Sequence, residues 1–215
     1  MLVITGAGRG FCSGADVGDV LQTQLEEPEE AQSPREIEAA FHRVTDPVRS
    51  VDKPIIAALN GVAAGAGVSL ALLCDIRIAS ENARFSLAFV RRGLIPDAGA
   101  TYSLPRTIGL SKALWLMFTG DFIDARQAEQ LGLVDQVVPP EKLEETVATL
   151  AKRIASGPSV AISLMKRAAY RGIHSDLDSQ LEFEAFCQAL CSKTKDHQEG
   201  VRAFLEKREP RFKGR

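Results

Sequence analysis

The sequence predicts a mixed α/β fold in which strands and helices alternate up to residue 155 and helices alone follow. Three observations lead there. Short apolar runs rich in β-branched residues recur at 2–4, 54–59, 76–79 and 133–138, each bounded by turn residues. Between them lie segments with apolar residues at spacings of three and four. After Ser156 no further strand-like run occurs, and three helical stretches complete the chain.

In order, residues 2–4 form a buried strand closed by Gly6 and Gly8, and Gly14-Ala15-Asp16 is a turn entering a short helix. Residues 26–35 hold four Glu and two Pro and read as a surface segment. An amphipathic helix over 37–51 follows, with Ile37, Phe41, Val44 and Val48 on one face. Residues 54–59 are a second strand, and Asn60-Gly61 is a turn. Gly65-Ala66-Gly67 opens an apolar helix through Leu73, then strands come at 76–79 and 84–85. Helices are expected at 111–120, with Ser111 as cap, and from Asp124 to a stop at Gly132. A strand at 133–138, a helix at 141–154 and helices at 160–171, 178–191 and 194–206 complete the chain. Trp115, Met117 and Phe118 are expected in the core.

The 215 residues are 45% hydrophobic and 25% charged, enough to bury a core and remain in water. Lys and Arg number 26 against 28 Asp and Glu, a net charge of −2. That balance argues against nucleic acid or an anionic membrane as the main partner. No stretch is long and apolar enough to span a bilayer. Cys12, Cys74, Cys187 and Cys191 lack disulfide spacing and fit reduced thiols in a cytoplasmic protein, and the three His are too scattered for a metal site.

The first glycine loop, Thr5-Gly6-Ala7-Gly8-Arg9-Gly10-Phe11-Cys12, suggests a dinucleotide site. The spacing fails, because G-x-G-x-x-G needs glycine where Phe11 stands, and the short-chain dehydrogenase form needs it at Cys12. The loop continues Phe11-Cys12-Ser13-Gly14-Ala15-Asp16. Together with Asn60-Gly61-Val62-Ala63-Ala64-Gly65-Ala66-Gly67 it resembles the enoyl-CoA hydratase/isomerase, or crotonase, family. Cys74-Asp75, Ala83-Arg84-Phe85, Gly93-Leu94-Ile95-Pro96, Leu104-Pro105-Arg106, Thr119-Gly120 and Leu131-Gly132-Leu133-Val134 follow in the family's order, so the resemblance spans the chain.

The resemblance implies a spiral of β-β-α units over 1–155 and a helical oligomerisation region over 156–215, giving a homotrimer or a dimer of trimers. It implies a coenzyme A thioester as substrate and no resident cofactor or metal. The backbone N–H groups of Ala15 and Ala66 map onto the family's oxyanion hole. Two such donors stabilise an enolate, and losing one typically costs roughly 10²–10³ in rate. Family members also carry several dozen residues before the first strand here, so strand partners upstream are expected.

Family hydratases activate water with two glutamates. Their positions hold Ser69 and Phe89, neither of which transfers a proton at neutral pH. Asp97 stands where the 1,2-epoxyphenylacetyl-CoA isomerases, dienoyl-CoA isomerases and chlorobenzoyl-CoA dehalogenases carry aspartate, and the surrounding 85–101 run looks most like the first. Its apolar neighbours should raise its pKa and suit it to proton shuttling. The expectation is therefore an acyl-CoA isomerase with Asp97 as acid and base. Gly65, Ser69, Phe89 and Asp16 line the pocket, and Lys207 and Arg208 are candidates for the coenzyme phosphates. A hydratase, a dehalogenase using Asp97 as nucleophile, and a non-catalytic coenzyme-binding member are the alternatives.

Overall fold

The computed structural model describes residues 1–14 and 33–215. Its strands and helices run β1 (Leu2–Thr5), β2 (Gly10–Cys12), α1 (Pro34–Arg49), β3 (Ile55–Leu59), β4 (Val62–Ala64), α2 (Ala66–Leu73), β5 (Ile76–Ser80) and β6 (Arg84–Ser86). A 3₁₀ turn (Ala88–Arg92) leads to α3 (Ala100–Ile108), α4 (Leu110–Thr119), β7 (Ile123–Asp124), α5 (Ala125–Leu131) and β8 (Gln136–Val138). The chain ends in α6 (Leu143–Ala155), α7 (Ser159–Gly172), α8 (Leu177–Cys191) and α9 (Lys195–Leu205).

Two four-stranded sheets form, in the orders β1-β3-β5-β8 and β2-β4-β6-β7. The first six strands alternate between them, so each successive pair places one strand in each sheet, which is the expected spiral. Contacts divide the chain into two compact units. One joins Val3–Ser50 and Ile55–Val147; the other joins Met1–Leu2, Val51–Pro54 and Ala148–Arg215.

The α/β unit owes its order to apolar strands tied by a few polar side chains. All five residues of β3 are buried, and fully burying an Ile or Leu is worth about 1.5–3 kcal/mol. The Asp75 carboxylate accepts the Ile55 N–H at 2.7 Å while its own N–H donates to Ile55 O, setting β5 beside β3. Asn60 fixes the first glycine loop: its Oδ1 accepts Gly6 N–H, and its Nδ2 donates to Gly8 O and Gly10 O. That loop is thus held by a structural amide. Asp124 caps α5 in a capping box with Gln127, and Gly132 ends the helix in the left-handed region.

Several expectations need correction. Helix α1 begins at Pro34, inside the segment read as surface loop, because Ser33 and Glu36 form a capping box and Pro fits the first turn. Helix α3 was not expected; Pro105 sits inside it and hid the pattern. Gly109, not Ser111, caps α4. The strand expected at 133–138 is only β8, since Leu133 and Val134 follow directly on the α5 stop. Of the three large α4 residues expected in the core, Met117 is buried, whereas Trp115 and Phe118 are 59% and 69% exposed on the other face.

The helical unit is built differently. Asp176 and Thr194 accept backbone N–H groups at the starts of α8 and α9. Yet α7 fully buries no residue and α8 only Cys187. The three helices border an open groove of about 1020 Å³ whose walls include Met165, Leu181, Cys187, Val201 and Phe212. Among the described residues no helix is long and apolar enough to cross a membrane.

Candidate active site

The two loops singled out in the sequence meet at positions that lack a side chain. Gly14, just after β2, has φ +94°, and a Cβ there would stand 3.3 Å from Ala66 N and 3.2 Å from Ala64 O. At Gly67 a Cβ would fall 2.0 Å from Cys12 O, so no larger residue fits without moving backbone. Gly65 caps α2 at φ +54°, ψ −126° and donates its N–H to Ser86 O at 2.9 Å. This places Ala66 as the first residue of α2. Its N–H lies outside the reach of the i−4 ladder and, among the described residues, has no hydrogen-bond acceptor. A free N–H at a helix N-terminus, in a backbone fixed on both sides, is a preorganised donor for an oxyanion. Ala15 and Asp16 lie outside the described residues.

Around this donor the structure gathers Gly65, Ser69 and Phe89. The Phe89 ring lies against Gly65, with Cζ 3.7 Å from where a Cβ would be. Phe89 is buried within the 3₁₀ turn, so this wall of the site is apolar. Ser69, one turn into α2, is 1% exposed, and its Oγ has no hydrogen-bond partner among the described residues. A buried polar atom without a partner is costly and marks a place for a ligand or water.

Asp97 leads into α3, the helix packed against α2. Its carbonyl accepts the Ala100 N–H at 2.9 Å, so it does form a turn. The side chain is not consumed by that turn: Oδ1 is buried and has no partner among the described residues. Burial pushes the Asp97 pKa up, opposed in part by its own backbone N–H. The next residue, Ala98, is held at φ +45°, a left-handed conformation that alanine adopts at a cost. Nothing in an alanine forecasts this conformation, which only the folded chain reveals.

Lys207 and Arg208 belong to the helical unit. Lys207 is at φ +56°, just past the end of α9. Arg208 is gripped by Glu199, at 2.7 Å from Nη1, and by Glu206. Its charge is therefore already matched, which weakens its fit to a phosphate. Among the described residues no cluster of three or more His, Cys, Asp or Glu is arranged to hold a metal.

A family model described as enoyl-CoA hydratase/isomerase matches residues 1–215. Over 215 residues the chain is 41% identical to 1,2-epoxyphenylacetyl-CoA isomerase of Escherichia coli (strain K12), covering all of this chain and 81% of that protein. It is 40% identical over 213 residues to crotonyl-CoA hydratase of Syntrophomonas wolfei subsp. wolfei, covering 99% of this chain and 80% of that one. The crystal structure of an enoyl-CoA hydratase from Bacillus anthracis superposes with a TM-score of 0.88 at 38% identity, over 100% of this chain and 81% of the other. Fold, loop geometry and sequence thus agree, and the chain belongs to the enoyl-CoA hydratase/isomerase family, whose members are enzymes acting on acyl-CoA thioesters.

Proposed function

We propose that the protein is an acyl-CoA isomerase in which Asp97 is the single acid and base. The observation behind this reading is the Asp97 carboxyl: half-buried, with an Oδ1 that has no partner among the described residues and a pKa raised by desolvation. With a 3-enoyl thioester, the carboxylate takes a proton from C2. The C2–H electrons move toward the carbonyl, whose oxygen becomes an oxyanion held by the N–H groups of Ala66 and Ala15. The carboxylic acid so formed then returns the proton to C4, and the double bond passes from C3–C4 to C2–C3. A pKa raised by desolvation makes the carboxylate a stronger base for the C2 proton, and the acid it becomes stays beside the enolate to return that proton at C4.

The hydratase alternative lacks its acid and base. Ser69 and Phe89 stand at the glutamate positions, both buried, and neither hydroxyl nor ring activates water at neutral pH. Buried Phe89 instead keeps water from the face where hydration would occur. Relatives bear both hydratase and isomerase names, so the assay must distinguish the two. Purified protein is offered a 3-enoyl-CoA and, separately, a 2-enoyl-CoA, with conjugation followed by ultraviolet absorbance. Isomerisation that exceeds hydration and collapses in Asp97→Asn is the expected result. Hydration as the faster reaction, or unchanged isomerisation in the variant, overturns the proposal.

The same reading makes the protein a cytoplasmic homotrimer or dimer of trimers that works on the thioester without a resident cofactor. Support for association comes from the helical unit, where Leu177, Phe186, Phe204 and Leu205 are 71%, 58%, 83% and 75% exposed. A monomeric mass by light scattering at working concentration sinks that part. The absence of disulfide spacing among the cysteines fits a reducing compartment.

A further inference from the structure

Beyond the thioester site, the helical unit holds a second concentration of charge. We propose that the cleft between α9 and residues 211–215 binds a small phosphate-rich anion of the pyrophosphate class. The cleft measures about 240 Å³, and its walls include Lys195, Arg202, Arg211, Lys213, Arg215 and Gln198.

Its construction explains why the cations are available. Residues 211–215 lie along α9, held by backbone rather than by side chains. Asp196, 3% exposed, accepts the Lys213 N–H at 2.7 Å and the Gly214 N–H at 2.8 Å, and its own N–H donates to Arg215 O. Glu199 accepts the Arg211 N–H at 2.9 Å. Exposure alternates along this segment, although Gly214 at φ +72° is not extended backbone. Phe212 and Gly214 turn inward, toward Gly200 and Ser159, where a Cβ on Gly214 would fall 2.6 Å from Ser159 Oγ. Arg211, Lys213 and Arg215 turn outward and are exposed.

The two acids of the cleft are thus spent on main-chain N–H groups and on Arg208, which takes Glu199 at 2.7 Å. None of the five lining cations forms a salt bridge among the described residues. Arg202 is near enough to help depress the Glu199 pKa, but Arg208 and the Arg211 N–H dominate that shift. Five cationic side chains outnumber the carboxylates of Asp196 and Glu199 around the cleft, and the excess positive charge favours an entering anion. Arginine forks and lysine ammonium groups in one concave site suit clustered phosphate oxygens better than a single carboxylate.

Clustered phosphates are offered both by a free anion and by the coenzyme moiety of a thioester, and one experiment separates these sources. The intact protein is titrated calorimetrically with inorganic pyrophosphate at about 0.01 M and about 0.15 M ionic strength, where the screening length falls from about 30 to about 8 Å. One-to-one binding that weakens with salt is expected. Lys213→Ala combined with Arg215→Ala, which keeps every main-chain N–H, is expected to bind at least roughly tenfold more weakly. Lys193→Ala, outside the cleft, is expected to bind as wild type, and so is Asp97→Asn, whatever becomes of the isomerase reading. Binding that persists in saturating coenzyme A assigns the site to a free anion, and displacement by coenzyme A assigns it to the coenzyme's phosphates. No heat at millimolar pyrophosphate in low salt, or equal affinity in the double variant, overturns the proposal.

Discussion

Strand β3 hides all five of its residues, whereas helix α8, with fifteen, fully buries only Cys187. The α/β unit closes around β3, although β1, expected to be buried, leaves Leu2 and Val3 44% exposed, and it seals its glycine loops with backbone contacts. The helical unit has well-made caps and an apolar groove but little interior. Local signals suffice to form its helices, whose faces stay largely exposed in the single chain. The first unit therefore holds geometry that must stay fixed, and the second presents surface.

The sharpest way to break this contrast is chemical. Asp97→Asn is expected to lower isomerase turnover by about 10²–10⁴-fold, measured with a 3-enoyl-CoA. It should do so while the fold becomes slightly more stable near neutral pH. Burial raises the Asp97 pKa in the folded state. The folded protein then binds more protons than the unfolded chain above the ordinary carboxylate range, and stability falls as pH rises through that window. Asparagine carries no charge and escapes the penalty. A urea midpoint unchanged or lowered at pH 7 in the variant speaks against a desolvated carboxylate.

Gly67→Ala tests rigidity next. Its Cβ would meet Cys12 O at 2.0 Å, so the oxyanion donor must move, with an expected rate loss of about 10²–10³-fold. Wild-type kinetics in this variant sink the interlocked-loop account. Leu59→Ala follows, at a 0% exposed position, and is expected to cost about 2–5 kcal/mol in chemical denaturation. Its counterpart in the helical unit, Phe186→Ala, should change the stability of the isolated subunit by less than about 0.5 kcal/mol and instead reduce its association. Equal costs at the two sites erase the distinction between the units.

The smallest effect concerns pH. Arg208 and the Arg211 N–H hold Glu199 at about 2. A depressed carboxyl contributes stability above its unfolded pKa and loses it as pH falls toward the folded one. Between pH 5 and about 2 the wild type should therefore lose more stability than Glu199→Gln. Parallel curves for the two proteins contradict this.

Much of this fold is legible in local sequence because local interactions make it. The Asp124 cap and the Gly132 stop lie within α5's own turns, and β3 is a plain apolar run. What escaped depends on distant partners. Pro105 disguises α3, yet that helix forms because Ala100, Leu104 and Ile108 are buried. Trp115 and Phe118 look like core residues until the orientation of α4 is known. At the candidate site, the motifs singled out Asp97 and Ala66, while an Oδ1 without a partner among the described residues and the left-handed Ala98 exist only in three dimensions.

The contact of Gly14 and Gly67 with segments some fifty residues away has a consequence for protein engineering. Neither loop is a portable part. Anyone grafting the 12–14 turn into another scaffold must bring the 64–67 backbone with it, because each is the mould in which the other is cast. A library that varies one loop alone disturbs the other, so the two segments must be varied together.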